Sequence, residues 1–299
     1  MKPTHLLAVL ALCITTGANA QNNFLIYAFK GNVSVIEKKA ETKVKIGTML
    51  NAASVLKVGP SATVTIICNE TSMFNVKKAG SYTMAMFKDS CKSENNSITA
   101  NYIKYIWNEF THGHNSPEAN RKLYMNNTGS VSRSVSSIWI DPRLDSMNYA
   151  YGDFPLSWKS YSEAKEFEFQ LYDQPEEGKL LYKEATKNKK YPVPAITKII
   201  RPGNTYYWTA TAIGETNDER KAIKVWTKDE FENFLAGINV TTNSAETEAD
   251  HDFRLGFQLE EARFFSEAYQ YYQKAAKLQP ANQLFSSTLA AFKKDYDIK

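Results

Sequence analysis

Two long stretches of this chain alternate apolar and polar residues with a period of two, the pattern of strands that have one buried face. In residues 138–227 the run EFEFQLYD is the clearest example. One side of that run carries Phe167, Phe169 and Leu171. Short strands of this kind, separated by turns at regular intervals, predict a β-sandwich. We expect Trp158 and Trp208 to lie in its core.

Residues 22–90 show the same period, with glycines between the runs. The run SATVTII places Ala62, Val64 and Ile66 on one face and two threonines on the other. We therefore expect a half-buried strand here, within a small all-β unit.

The order of residues within 22–90 also resembles a known family. Its elements are Gly31-x-Val33, Val44-Lys45-Ile46-Gly47, Leu50, Leu56, Val58-Gly59, the alternating run from Ala62, Phe74-x-Val76 and Gly80. This order is similar to that of FecR-like β-domains. The resemblance implies the fold and an extracytoplasmic interaction role. Members often stand behind a transmembrane anti-sigma regulator, which has no counterpart in this sequence, so a signalling role is not implied.

The central region, residues 138–227, resembles a fibronectin type III or similar immunoglobulin-like domain. The resemblance rests on LSWK, then FQLYD, then PGNTYYWTATA. It implies that Tyr206 and Trp208 point inward. It implies a role in spacing or adhesion and no particular reaction.

Residues 91–130 change to a helical period and are predicted to form a helical insert. Ser97 can cap a helix whose apolar stripe we expect to pack against a β-unit, although a ligand cleft is the alternative. The stripe consists of Tyr102, Ile103, Ile106, Trp107 and Phe110. Residues 126–137 are predicted to be a linker, as are residues 228–248, whose first part, KDEFENFLAGI, favours a short helix.

Residues 249–299 resemble one tetratricopeptide (TPR) motif followed by a further helix. The matching positions are Leu255, Gly256, Ala268, Tyr272, Ala275 and Pro280. Gly256 and Ala268 would allow two helices to approach closely, Tyr272 would fill the gap, and Pro280 would stop the second helix. A single repeat cannot bury its own apolar face, so we expect it to dock on the sandwich, dimerise or receive a partner.

Residues 1–20 are predicted to be a cleavable signal peptide, with a short basic start, an apolar run and the Ala18-Asn19-Ala20 site. A lipoprotein anchored at Cys13 is the alternative. No later stretch reaches the roughly 18 apolar residues of a membrane-spanning helix. In an oxidising compartment Cys68 and Cys91 invite a disulfide, or remain two separate buried thiols.

The chemistry of the sequence gives little support to an enzyme. Common nucleophile, phosphate-loop, zinc-protease and dinucleotide motifs are absent. The pair His112 and His114 is a weak metal signal, and Glu260-Glu261 or Glu176-Glu177 are weak acid–base candidates. We therefore predict no catalytic residues, no metal and no cofactor. With 36 basic and 32 acidic residues, the formal charge of +4 gives no case for nucleic acid.

The sequence thus predicts a mixed, multi-domain protein of the periplasm that binds other envelope proteins as a scaffold or sensor. Secretion or association with the outer membrane remains open. The first alternative is a module that binds carbohydrate or peptidoglycan through Tyr207, Tyr269 or Tyr271. The second is an unrecognised hydrolase. The lysines at 183, 187, 189 and 190 favour a solvated strand edge over an anion site.

Overall fold

The computed structural model describes residues 23–92, 100–111, 121, 123, 125, 137–239 and 245–299. Residues 1–22, Ser97, His112 and His114, and most of the predicted linker at 126–137 lie outside these ranges. The described chain combines four β-sheets, almost entirely antiparallel, with helices that are concentrated at the C-terminal end. No helix within the described ranges is long and apolar enough to cross a bilayer.

The N-terminal unit is built from eight strands. They are β1 (Asn23–Lys30), β2 (Val33–Glu37), β3 (Ala40–Lys43), β4 (Met49–Asn51), β5 (Val55–Val58), β6 (Thr63–Cys68), β7 (Ser72–Val76) and β8 (Gly80–Thr83). They form two four-stranded sheets with the orders β4-β1-β6-β7 and β3-β2-β5-β8. Short 3-10 turns at Met84–Phe87 and Ser90–Lys92 follow the last strand.

Strand β6 differs from the half-buried strand that its sequence predicts. Ala62, Val64 and Ile66 do face the core between the two sheets, as expected. The opposite face is also covered, because Thr65 is fully buried and Ile67 belongs to a second hydrophobic cluster. The prediction of one solvated face is therefore wrong for this strand.

Helix α1 (Ala100–Thr111) belongs to the cluster that covers this second face. Its predicted apolar stripe is buried from Tyr102 to Trp107, whereas Phe110 remains partly exposed. The stripe thus packs as a structural core, which was the expected role.

The central region, residues 138–225, contains two sheets, and we refer to this region as the sandwich. Its strands are β9 (Ile138–Ile140), β10 (Ser146–Tyr149), β11 (Pro155–Ser160), β12 (Phe167–Tyr172), β13 (Leu180–Thr186), β14 (Lys190–Pro192), β15 (Thr205–Ala212) and β16 (Lys221–Val225). They form a three-stranded sheet, β14-β11-β9, and a five-stranded sheet, β10-β16-β15-β12-β13, in which only β10 and β16 run parallel.

The predicted alternation of this region is confirmed. Phe167, Phe169 and Leu171 are buried in turn along β12, and Trp158 and Trp208 lie in the core. Tyr206 near the start of β15 points inward, and its hydroxyl accepts a 2.8 Å hydrogen bond from the backbone N–H of Arg201.

Four helices complete the described chain. They are α2 (Lys228–Ile238), α3 (Glu248–Glu261), α4 (Phe265–Leu278) and α5 (Gln283–Asp295). Helix α2 occupies the first part of the predicted linker 228–248, where KDEFENFLAGI favoured a helix. Reciprocal capping boxes at Thr227 and Thr247 start α2 and α3 by satisfying free backbone N–H groups.

Helices α3 and α4 approach each other closely at Gly256. A Cβ atom built there would lie 2.9 Å from a ring carbon of Tyr272. Leu255, Ala268 and Ala275 are buried beside this contact. Helix α4 ends at Leu278, just before Pro280.

The helices dock on the sandwich and on α1, so they do not leave an open apolar face there. Backbone N–H of Asn148 donates to the carbonyl of Arg263 at 3.0 Å, and the Asn148 side chain donates to the carbonyl of Ala262 at 2.8 Å. One hydrophobic cluster runs from the outer face of β1 and β6 through α1 and the sandwich to α5. The borders of the predicted segments therefore do not coincide with borders of the core.

Candidate functional site

Cys68 and Cys91 form a disulfide in the structure. The bond ties the last residue of β6 to the 3-10 turn at Ser90–Lys92. Both cysteines lie in or against the core of the N-terminal unit. Their position is structural, and no reactive thiol lies at this point of the chain.

The acidic pairs that the sequence offers do not converge. Glu260 is buried and binds the guanidinium of Arg121, whereas Glu261 accepts a hydrogen bond from Asn101 at 2.5 Å. Glu176 and Glu177 lie exposed in the turn before β13. Within the described ranges, no group of three or more His, Cys, Asp or Glu side chains could hold a metal ion.

A buried ionic cluster joins α3 and α5. Arg121 bridges Glu260 of α3 and Asp295 of α5. The hydroxyl of Tyr272 donates to Glu260 at 2.9 Å. Because these charges are desolvated, their mutual pairing is needed to offset the cost of burying them. The cluster therefore holds α3 and α5 together.

A second buried polar chain joins the N-terminal unit to α3. Arg254 donates to both carboxylate oxygens of Glu246, at 2.9 and 3.0 Å, and Glu246 also accepts from Tyr27 at 3.3 Å. Tyr27 and Tyr102 share a 2.8 Å hydrogen bond between their hydroxyls. Burial raises the pKa of both tyrosines well above the ordinary value, so they stay neutral.

His251 and the four lysines of the predicted strand edge are held in ordinary contacts. The His251 ring lies 2.6 Å from the amide oxygen of Asn239. Lys183, Lys187 and Lys190 pair with the carboxylates of Glu168, Glu166 and Asp297, respectively. Lys189 lies over the Phe167 ring. This arrangement favours the solvated strand edge over an anion site.

The aromatic platforms considered from sequence lie in different places. Tyr207 is half-buried on β15, and Tyr271 carries the Lys274 ammonium over its ring. Tyr269 stacks parallel to Phe292, with ring centroids 6.0 Å apart. Of the three, only Tyr269 lines one of the two grooves described next.

The larger groove, which we call the Trp139 groove, has a volume of about 520 Å³ and lies between the three-stranded sheet and the end of α5. Trp139 and Lys159 are a directly opposed cross-strand pair, with the ammonium 4.8 Å from the ring centroid. The other lining residues include Asp141, Arg143, Ser157, Trp158, Lys294 and Asp295.

Arg143 pairs with two of the acidic side chains that line this groove, those of Asp141 and Asp295. Arg143 donates through Nε and one terminal nitrogen to the Asp141 carboxylate, at 2.6 to 3.1 Å. It also lies 3.4 Å from the Asp295 carboxylate and over the Tyr296 ring. Burial alone raises the pKa of Asp141, but Arg143 outweighs that effect and holds the pKa below its ordinary value. Asp141 therefore stays ionised and is a poor proton donor.

The smaller groove, the Tyr269 groove, has a volume of about 420 Å³. Pro155, Pro192 and Ile298 give it apolar walls, and Asp153, Asn188 and Lys190 give it polar ones. Asp297 lines both grooves and therefore forms the ridge between them. The Lys190 ammonium holds this ridge by donating to the Asp297 carbonyl at 2.8 Å.

An apolar patch lies on the N-terminal unit, where α1 ends. Ile46 is 47% exposed, Met49 39% and Phe110 37%. Gly47, with φ of +87°, lies against Phe110, since a Cβ there would come within 2.6 Å of the ring. We call Ile46, Met49 and Phe110 the junction patch.

A further buried carboxyl, that of Glu267, holds a loop against α4. Glu267 in the first turn of α4 is fully buried and accepts hydrogen bonds from the backbone N–H of Ala150 and Tyr151, at 2.6 and 2.8 Å. Burial raises its pKa to about 7, although these two bonds oppose the rise. Glu267 thus holds the loop after β10 against α4.

Sequence reasoning missed the residues that build the Trp139 groove. Arg143 contacts the end of α5, 152 positions away along the chain, and no local pattern records such a contact. The sequence does weakly indicate that Trp139 and Lys159 are accessible, because each stands at an outward position of a strand.

Compared with known proteins, the chain matches no protein-family model and no curated protein.

Proposed function

We propose that this protein is a non-catalytic component of the cell envelope that binds other envelope proteins and acts as a scaffold or sensor. The observation that carries the proposal is the junction patch, three large apolar side chains that are each 37–47% exposed near the contact of Gly47 with Phe110. Exposed apolar clusters on an otherwise polar surface are typical of contact sites for other proteins.

The fold that we propose for each region fits this role. The sheets of three and five strands, antiparallel except between β10 and β16, favour a fibronectin type III or immunoglobulin-like sandwich for residues 138–227. The hydrogen bond from the Arg201 N–H to Tyr206 has the form of the tyrosine corner known from such domains. A FecR-like origin for residues 22–90 and a TPR-like origin for residues 249–299 remain part of the proposal. A fold alone does not fix a function, so these three folds support the proposal only by being compatible with binding and spacing.

The proposed compartment is the periplasm. A disulfide between Cys68 and Cys91 suits an oxidising environment and is rare in the cytosol. The signal-peptide pattern of residues 1–20 provides the route of export.

The non-catalytic part of the proposal is supported by how the acids of the Trp139 groove are used. Asp141 and Asp295 are both paired with Arg143. A general acid needs a pKa near the working pH, whereas the pairing with Arg143 holds the pKa of Asp141 below its ordinary value.

The experiment compares capture of envelope proteins by the wild-type chain, by Ile46→Glu and by a matched control, Ile213→Glu. Ile213 is another exposed isoleucine, 56% exposed, and it lies on the sandwich. We expect chemical cross-linking in an envelope extract to trap a protein with the wild type and the control and to lose it with Ile46→Glu. The trapped protein is then purified and titrated against all three chains. Equal binding to all three would reject the junction patch as the contact site.

A further inference from the structure

The Trp139 and Tyr269 grooves lie side by side and share Asp297 as their common wall. With volumes of about 520 and 420 Å³, each is within the range of small-molecule sites. Two such spaces in a row suit a chain-like ligand with repeating units better than one compact ligand.

The charges of the Trp139 groove balance. Its acidic residues are Asp141, Asp295 and Asp297, and its basic residues are Arg143, Lys159 and Lys294. Three negative and three positive side chains give no net attraction for an anion or a cation. A neutral ligand that both donates and accepts hydrogen bonds fits this lining best, because carboxylates accept and cationic groups donate.

Each groove also contains an aromatic ring that is already held in place. Lys159 lies over Trp139, and Phe292 stacks against Tyr269.

From these observations we propose that the two grooves form one site, with two subsites, for a neutral oligosaccharide. Such a ligand presents hydroxyl groups to the paired charges and C–H faces to Trp139, Tyr269 and the proline walls. An extended peptide generally adds to an open strand edge or fills an apolar groove. The wall of the Trp139 groove is instead formed by paired ionic side chains. The site is separate from the junction patch, so either proposal can fail alone.

The test uses the full chain and three neutral tetrasaccharides, namely maltotetraose, cellotetraose and tetra-N-acetylchitotetraose. Binding is measured by isothermal titration calorimetry and by tryptophan fluorescence. We expect at least one probe to bind, and to bind more tightly than its own disaccharide, because the longer chain reaches both grooves. Trp139→Ala should weaken binding by roughly tenfold or more. Trp139→Phe should restore most of it.

Tyr207→Ala is the matched control, since Tyr207 is an aromatic residue of the other sheet and lines neither groove. Its binding should equal that of the wild type. Failure of all three probes to bind would overturn the proposal, as would tetrasaccharide binding that does not change in Trp139→Ala. Equal affinity for disaccharide and tetrasaccharide would reject the second subsite. If Trp139→Ala fails to fold, the Trp139→Thr variant replaces it.

Discussion

At the scale of single residues, the contact between Gly256 and Tyr272 sets how closely α3 and α4 pack. The ring of Tyr272 is fully buried, so it has little room to yield to an added methyl group. The sequence predicted this pair, because the spacing of the repeat motif places a small residue opposite a large one.

The first prediction is that Gly256→Ala destabilises the protein. Alanine favours a helix by about 1 kcal/mol over glycine. Overpacking against Tyr272 costs typically 1–3 kcal/mol, which should exceed that gain. Gly237→Ala is the control, because a Cβ at Gly237 in α2 meets no atom within 4 Å, and we expect it to stabilise. Urea unfolding of both variants measures the two effects, and a stabilised Gly256→Ala would contradict the packing argument.

The second prediction concerns Glu267 and pH. Its pKa of about 7 in the folded chain exceeds the ordinary carboxyl value, so the folded state holds the proton more tightly than the unfolded state. The stability that depends on this proton is complete below the ordinary pKa. It is lost as the pH rises through about 7.

We therefore expect the free energy of unfolding to fall between about pH 5 and pH 8, by at most roughly 3 kcal/mol from this group. Glu267→Gln should remove most of that fall, whereas Glu248→Gln, at an exposed position of α3, should leave it unchanged. Unfolding curves at both pH values decide the matter. An identical fall in wild type and Glu267→Gln would show that other groups cause it.

Sequence could not single out Glu267. It stands in a run of polar and aromatic residues at the start of α4 and reads as an ordinary acidic residue near a helix N-terminus. Its burial comes from the loop at Ala150 and Tyr151, more than a hundred positions away along the chain. The raised pKa is a property of that contact.

At the scale of elements, the strands show what local pattern does and does not record. The alternation of β12 predicted its buried face correctly, and the other face is half-buried. In β6 the same alternation predicted a solvated face that the structure covers. A threonine is compatible with either a solvated or a covered face. Thr65 can be buried because its hydroxyl donates a 2.7 Å hydrogen bond to the side chain of Asn75. Period alone does not report what packs on the second face.

The third prediction concerns the disulfide that ties β6 to the turn after β8. Cys68 and Cys91 are 23 positions apart, and closing a loop of this size contributes about 3 kcal/mol by restricting the unfolded chain. The double variant Cys68→Ser/Cys91→Ser should lose about that much stability in guanidinium unfolding. A reducing agent should lower the stability of the wild type and leave the double variant unchanged. An effect on both chains would point to another cause.

At the scale of the whole molecule, the sandwich, α1 and the C-terminal helices share one core. Phe253 and Phe257 of α3 stack with Tyr105 of α1. Phe265 of α4 stacks with Phe154 of the sandwich. The sequence predicted that the helical repeat needs a cover. It could not tell which of the three possible covers applies, since an apolar stripe does not identify what packs on it.

The fourth prediction is that these regions unfold together. Native-state hydrogen exchange should give the same free energy of opening for the slowest amides of α3 and of β15, because opening either exposes the shared core. Amides in β3, an exposed edge strand, provide the contrast and should exchange at much lower cost. A clearly lower value for α3 than for β15 would mean that the helices detach as a separate unit.

Both faces of the sheet β4-β1-β6-β7 contribute to a hydrophobic core: one side closes the N-terminal core, and the other belongs to the core shared by α1, the sandwich and the C-terminal helices. If residues 23–92 were fused to a different protein, the second face of this sheet would lose the apolar residues that cover it. The transferred segment would then need a new apolar element in place of the helices.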